Sequence, residues 1–344
     1  MLLILRRLFI SCLKQTFLIA LIFSDIVATA EEICLLKDQD GMFKVFPKHQ
    51  LRPDQLRAAK CRSMNQEREL LLPNPSEIKI EGGKRRTKVN SQIGIISLSW
   101  SRADEQSFGT SLERALSDTT QAISRAIRQF GISDLVQNGA NQEIEMAFID
   151  GALEKKDIPF GLVTNCHPAW MQPPNKLFFV PERMVSACGY NNKKLSSKEA
   201  IQELFLSLAH EIGHLIEWRM LGDRQFGENR ARAEGFATWF ANYASGFSPL
   251  FLANEQELFL LRVARANPIS EGAFQGNFGD SIVDYAWVGL WFSEIVRLKG
   301  LKVLEKIYRR AYQGEYFEDV LVQLTGLSGT EIMGSLKKRI LKEG

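Results

Sequence analysis

The spacing of apolar positions changes along the chain, and the changes outline its architecture. Ile93, Ile95, Ile96, Leu98 and Trp100 form a nearly continuous apolar run that predicts a mostly buried strand. Leu112, Leu116, Ile123, Ile127 and Phe130 then recur at helical spacing until Gly131 stops them. Ile144, Met146 and Phe148 alternate with Glu145 and Ala147 as a second strand. Residues 160–163 predict a third, and Lys176-Leu177-Phe178-Phe179-Val180, ended by Pro181, a fourth. Together these segments predict a small mixed sheet.

From Ser196 onward the pattern is helical. Ser196 and Glu199 have the spacing of a capping box, in which each satisfies the other's free backbone donor, and the helix they open is expected to run to Leu221, with Gly222 as its stop. Helices are expected over residues 229–243 and 254–266, followed by a stretch containing Gly272, Gly276 and Gly279. The tail is helical too, punctuated by Gly300, Gly314 and Gly326, with a second capping box at Ser328 and Glu331. The fold class is therefore α+β, a small mixed sheet plus a long helix followed by a helical C-terminal part. Three regions follow from this reading: a small N-terminal segment and linker over 31–85, a central domain over 86–265, and the helical part over 266–344. The linker is read from Pro73 through Arg86, where Pro, Gly and basic residues cluster.

Residues 1–30 change the picture of where the chain works. Arg6, Arg7 and Lys14 supply a positive end, Phe17 to Phe23 a short apolar run, and Ala28-Thr29-Ala30 small residues for cleavage, as in a secretory signal peptide. An uncleaved anchor over Leu8 to Phe23 is the alternative, but Lys14 and Gln15 interrupt it. The mature protein is expected to be secreted or periplasmic, with no membrane span. The full chain has 344 residues, 43 Lys+Arg and 40 Asp+Glu; without the signal it is nearly neutral, which argues against a nucleic-acid partner. One of five Cys leaves with the signal. Cys34, Cys61, Cys166 and Cys188 remain, an even number suited to an oxidising compartment, and two disulfide bonds are expected. The preferred pairing is Cys34 with Cys61 and Cys166 with Cys188, since each closes a local loop. A thiolate metal site built from Cys166, His167 and Cys188 is the competing use.

The chemistry concentrates in the long helix. His210-Glu211-Ile212-Gly213-His214 places two imidazoles one turn apart on one face, where both reach one metal ion. Glu203, Ser207 and Glu217 continue the same polar stripe, while Ile201, Leu204, Leu208, Ile212 and Leu215 face elsewhere. Two neutral His leave room for a further ligand and a water, and a neighbouring carboxylate, Glu211, is placed to take a proton from that water. Twenty residues after His214, Glu234 stands among Ala231, Ala233, Gly235, Phe236 and Ala237 on the next expected helix, a natural third ligand.

On these residues, His210 to Ala237, the chain resembles the gluzincin zinc metallopeptidases. The region around Tyr285-Ala286-Trp287-Val288-Gly289-Leu290-Trp291 more loosely resembles the C-terminal part of bacterial peptidase-MA-like domains. The resemblance implies a zincin-like sheet and active-site helix, a Zn2+ cofactor held by His210, His214 and Glu234, Glu211 as general base, and a peptide or protein substrate. It also implies that the strand from Lys176 to Val180 lines the cleft and pairs with extended substrate. Metzincins are excluded, because their third His is missing from a chain with only His49, His167, His210 and His214. Gluzincins often carry an acidic residue one turn after the Glu ligand; here Thr238 occupies that place, leaving Glu203, Glu217 or a backbone carbonyl to support the ligands. Tyr285 is the candidate donor to the developing oxyanion, with core packing as the alternative reading and His167 as a second candidate. The competing function is an inactive zincin-like module that binds metal and peptide, and hydrolysis of a non-peptide amide is a third.

Overall fold

Cys34 stands directly opposite Cys61 in a small antiparallel sheet near the N-terminus, formed by β1 (Glu32–Lys37), β2 (Phe43–Pro47) and β3 (Lys60–Ser63) in the order β2-β1-β3. The computed structural model describes the backbone of these three strands and residues 85–108, 112–137, 143–148, 168–185, 195–226, 229–267, 278 and 281–342. The signal segment, the expected strand at 160–163, Cys166, His167, Cys188, Gly272, Gly276 and Gly279 lie outside the described residues.

The central sheet has five strands. β4 (Arg85–Ser91) pairs antiparallel with β5 (Gly94–Trp100), which runs parallel to β6 (Ile144–Phe148). The far side of β6 takes β8 (Lys176–Phe179) in parallel, and β7 (Ala169–Gln172) closes the sheet antiparallel to β8. The order is β4-β5-β6-β8-β7. Two expectations are corrected here. Arg85 and Arg86 belong to a strand and not to the linker, because an edge strand with one solvated side carries charge without an apolar signature. Nor is Lys176–Val180 free to pair with an extended substrate: β8 is bonded on both sides, to β6 and β7, so its backbone groups are taken, and among the described residues the sheet ends at β7. β7 escaped the sequence reading because its four residues are too short to show a period.

Helices cover this sheet and build outward from it. α1 (Arg102–Phe108) leads into α2 (Leu112–Phe130), whose five periodic residues are each at most 2% exposed. At ~1.5–3 kcal/mol per buried large side chain, that stripe outweighs the ordinary helix propensity of α2 and decides its orientation. Short helices α3 (Ser133–Gln137) and α4 (Pro181–Val185) precede the central helix α5 (Ser197–Phe226), opened by the expected Ser196–Glu199 capping box. Gly222 does interrupt α5, with φ 66° and ψ 178°, but helical turns resume beyond it to Phe226. Arg219 moors α5 to the sheet end of the molecule, donating from Nη1 to the carbonyls of Ile93 at 2.6 Å and Val136 at 3.0 Å.

Behind α5 come α6 (Arg230–Ser245), α7 (Glu255–Ala266), α8 (Ile282–Lys299), α9 (Leu301–Tyr312), α10 (Phe317–Thr325) and α11 (Gly329–Lys342). Asn229 caps α6 by accepting from the Arg232 N–H, and a Ser281–Asp284 capping box opens α8. Among the described residues a contiguous hydrophobic core runs from Ile93, in the turn before β5, to Ile340 on α11. The helical C-terminal part is therefore packed into the same core as the sheet. No helix among the described residues is long and apolar enough to cross a membrane.

Candidate metal centre

The polar stripe of α5 meets α6 at three converging atoms. His210 Nε2 and His214 Nε2 lie 3.1 Å apart, and each is 3.2 Å from Glu234 Oε2. Helical spacing puts both imidazoles on one face of α5, and the N-cap at Asn229 starts α6 where its second turn carries Glu234 back across that face. The three side chains are 12–19% exposed, so the cluster is largely but not wholly withdrawn from solvent. Burial alone would push the Glu234 carboxyl up, but the adjoining His214 and His210 prevail and hold it well below the usual carboxylate range.

The crossing that makes this possible is tight. A Cβ on Gly213 would come within 2.8 Å of the Ala237 Cα, so α5 and α6 approach closely only because residue 213 has no side chain. α6 and α8 touch in the same manner, Gly289 lying where a Cβ would meet Thr238 Cγ2 at 2.7 Å. Small residues thus set the separation of the three helices and with it the reach of Glu234.

Glu211 sits next to the cluster, 6% exposed. Burial raises its carboxyl to about 7, the neighbouring Glu234 adds to the rise, and His210 and the Met171 backbone N–H oppose it. Met171 lies on β7, so the edge strand directs a backbone donor at Glu211. Along the stripe, burial also raises Glu203, which accepts from the Ser207 hydroxyl at 3.5 Å.

Tyr285 lies in the first turn of α8 with its ring edge-on to His210, centroids 5.8 Å apart. Phe278 packs edge-on against Tyr285 at 5.2 Å, and the Arg230 guanidinium lies over Phe278 at 5.6 Å. The fold thus brings together His210, Glu211, His214, Glu234 and Tyr285. His167 lies outside the described residues.

Three supporting residues escaped the sequence reading. Thr238 Oγ1 is 3.5 Å from His210 Nδ1, so the position expected to hold an acid still reaches the outer nitrogen of this candidate ligand. Arg230 Nε stands 3.7 Å from Glu234 Oε1, the oxygen turned away from the imidazoles. Both are one helical turn from Glu234, and that spacing was the available signal. The Met171 contact spans forty residues and had none. No family model matches the chain, and no curated protein matches it either.

Proposed function

We propose that this protein is an exported zinc-dependent metallopeptidase of the gluzincin type. The observation that carries the reading is the convergence of His210 Nε2, His214 Nε2 and Glu234 Oε2 beside a buried carboxylate, Glu211. Two imidazoles and one carboxylate suit a borderline ion such as Zn2+ and leave a coordination position open, as catalytic zinc sites do. The signal-like N-terminus and even cysteine count support export.

When bound, zinc would supply Lewis acidity, polarising the scissile carbonyl and acidifying a water. The chain's own groups supply the rest. Glu211, drawn toward neutrality by burial and held in place by the Met171 N–H, accepts the proton of the attacking water and returns it to the leaving amine. Among the described residues β7 ends the sheet, and apart from the Met171 N–H, which reaches Glu211, its outer backbone groups are the ones with which an extended peptide would pair. Tyr285, whose ring lies edge-on to His210, is the residue we assign as donor to the oxyanion, and that ring contact supports the assignment.

The test pairs metal analysis with a peptide-library digest of the mature protein, with and without a chelator, in wild type, Glu211→Gln and Glu234→Gln. Wild type should retain zinc and cleave, and chelation should stop it. Glu211→Gln should retain zinc while turnover falls by at least ~100-fold, the scale of general-base catalysis. Glu234→Gln should bind zinc roughly ten-fold or more weakly, with activity partly restored by excess metal. Zinc binding without cleavage would mark an inactive binding module. Full zinc affinity in Glu234→Gln would remove the gluzincin ligand set.

A further inference from the structure

Two of the three ligands have their outer atom met by a neighbour: His210 Nδ1 by Thr238, and Glu234 Oε1 by Arg230. His214 Nδ1 is different. It is buried and finds no hydrogen-bond partner among the described residues. One turn along α5, the fully buried Glu217 has a second orphan, its Oε2. Residues three apart on a helix are neighbours on one face, so the two unpartnered atoms, a ring nitrogen and a carboxylate oxygen, belong to adjacent side chains, with no hydrogen bond between them in this structure.

The other oxygen of Glu217 is committed. Oε1 accepts from the Tyr308 hydroxyl at 3.0 Å, and Arg232 Nε stands 3.4 Å away. Arg232 is itself 3% exposed; it donates to Glu318 Oε1 at 3.1 Å and to the Gln225 carbonyl, and its guanidinium lies over the Phe317 ring at 5.5 Å. Gln225 in turn accepts from the Phe317 N–H and donates to the Glu315 carbonyl. The network joins the end of α5 to α6, α9 and α10.

We propose that Glu217 is the positioning residue for His214, accepting its Nδ1–H through Oε2 and turning Nε2 toward the metal, while Tyr308 and Arg232 hold Glu217 in place. This inference rests on the zinc reading above. Its consequence is that helices far from the chemistry in sequence help to set metal affinity. A buried carboxylate fixes the tautomer of the imidazole and raises its basicity as a ligand.

Glu217→Gln is the informative change. Tyr308 donates to Oε1 and the Arg232 cation stands on the same side, so that side selects the amide oxygen and leaves the amide NH2 toward His214 Nδ1, donor against donor. Full-length wild type, Glu217→Gln and Tyr308→Phe would be titrated with Zn2+ against a chromophoric chelator, and with Co2+ while recording its visible absorption. Far-UV circular dichroism monitors folding. Zinc affinity should fall by ~10–100-fold in Glu217→Gln and by a smaller factor in Tyr308→Phe, with altered Co2+ bands in Glu217→Gln. Affinities within roughly two-fold of wild type in both variants would overturn the proposal, even if both melt at lower temperature, because a purely structural role moves melting alone. If Glu217→Gln does not fold, Tyr308→Phe decides by the same threshold. A wild type that binds no zinc sinks both readings; one that binds zinc and cleaves peptides beside unaffected variants sinks only this one.

Discussion

Gly213 lies against Ala237 so closely that a methyl group on it would stand 2.8 Å from the Ala237 Cα. This contact fixes the spacing of the helix bearing His210 and His214 from the helix bearing Glu234. Gly213→Ala should therefore destabilise the fold by ~1–3 kcal/mol, since backbone and not a flexible side chain must give way. It should also weaken zinc binding, because Glu234 moves away with α6. Gly334→Ala is the control: it is helical, with nothing within 4 Å of the added methyl, and should stabilise by up to ~1 kcal/mol. Urea melts and chelator competition on the two variants check both outcomes, and equal effects would refute the crossing as a constraint.

Tyr285 sits edge-on to His210 and not in the core, which makes the oxyanion assignment testable. Tyr285→Phe keeps the ring contacts with His210 and Phe278 and removes only the hydroxyl. Turnover should fall roughly ten- to a thousand-fold with zinc retained, the range expected for loss of one donor to the transition state. Unchanged turnover would leave Tyr285 a packing residue.

The register that sets Cys34 opposite Cys61 gives the first disulfide a geometric basis. Directly opposed Cα atoms in antiparallel strands lie ~4.5–5.5 Å apart, within the span of a disulfide. Unreduced, denatured mature protein should titrate no free thiol, and its proteolytic digest should contain a Cys34–Cys61 cross-linked peptide. Two or more free thiols would refute the oxidised state.

Glu294 provides a pH-dependent brace between α8 and α11. Its side chain is fully buried, accepts from Arg297 Nη2 at 2.6 Å and from Ser335 Oγ at 2.6 Å, and lies 3.6 Å from Arg339. Burial pushes its carboxyl up, but these partners outweigh it and hold the pKa below the ordinary 4.5. A carboxyl more acidic in the folded than in the unfolded chain stabilises fully above the unfolded value, and that stabilisation is lost as pH falls through the folded one. Glu294→Gln should cost roughly 2 kcal/mol at neutral pH, with the gap to wild type closing in strongly acidic buffer. A gap that does not vary with pH would contradict the assignment.

Local periodicity determined much of this molecule. The stripe of α2, the alternation of β6, the capping boxes at Ser196 and Ser328 and the break at Gly222 are short-range consequences of which residues follow which, and all are visible one helical turn or one pleat at a time. The pairing of His210 with His214 is of the same kind, since a 3.6-residue period alone puts them on one face. What the tertiary structure decided is every relationship between segments. It set Glu234 Oε2 against both imidazoles, made β7 and not β8 the last strand of the sheet among the described residues, with Met171 at Glu211, and set Thr238 against His210 Nδ1. These depend on how closely α5, α6 and α8 can pack and on the order in which the described strands pair. Such distances follow from the exclusion of overlapping atoms across the core, and no window of neighbouring residues contains them.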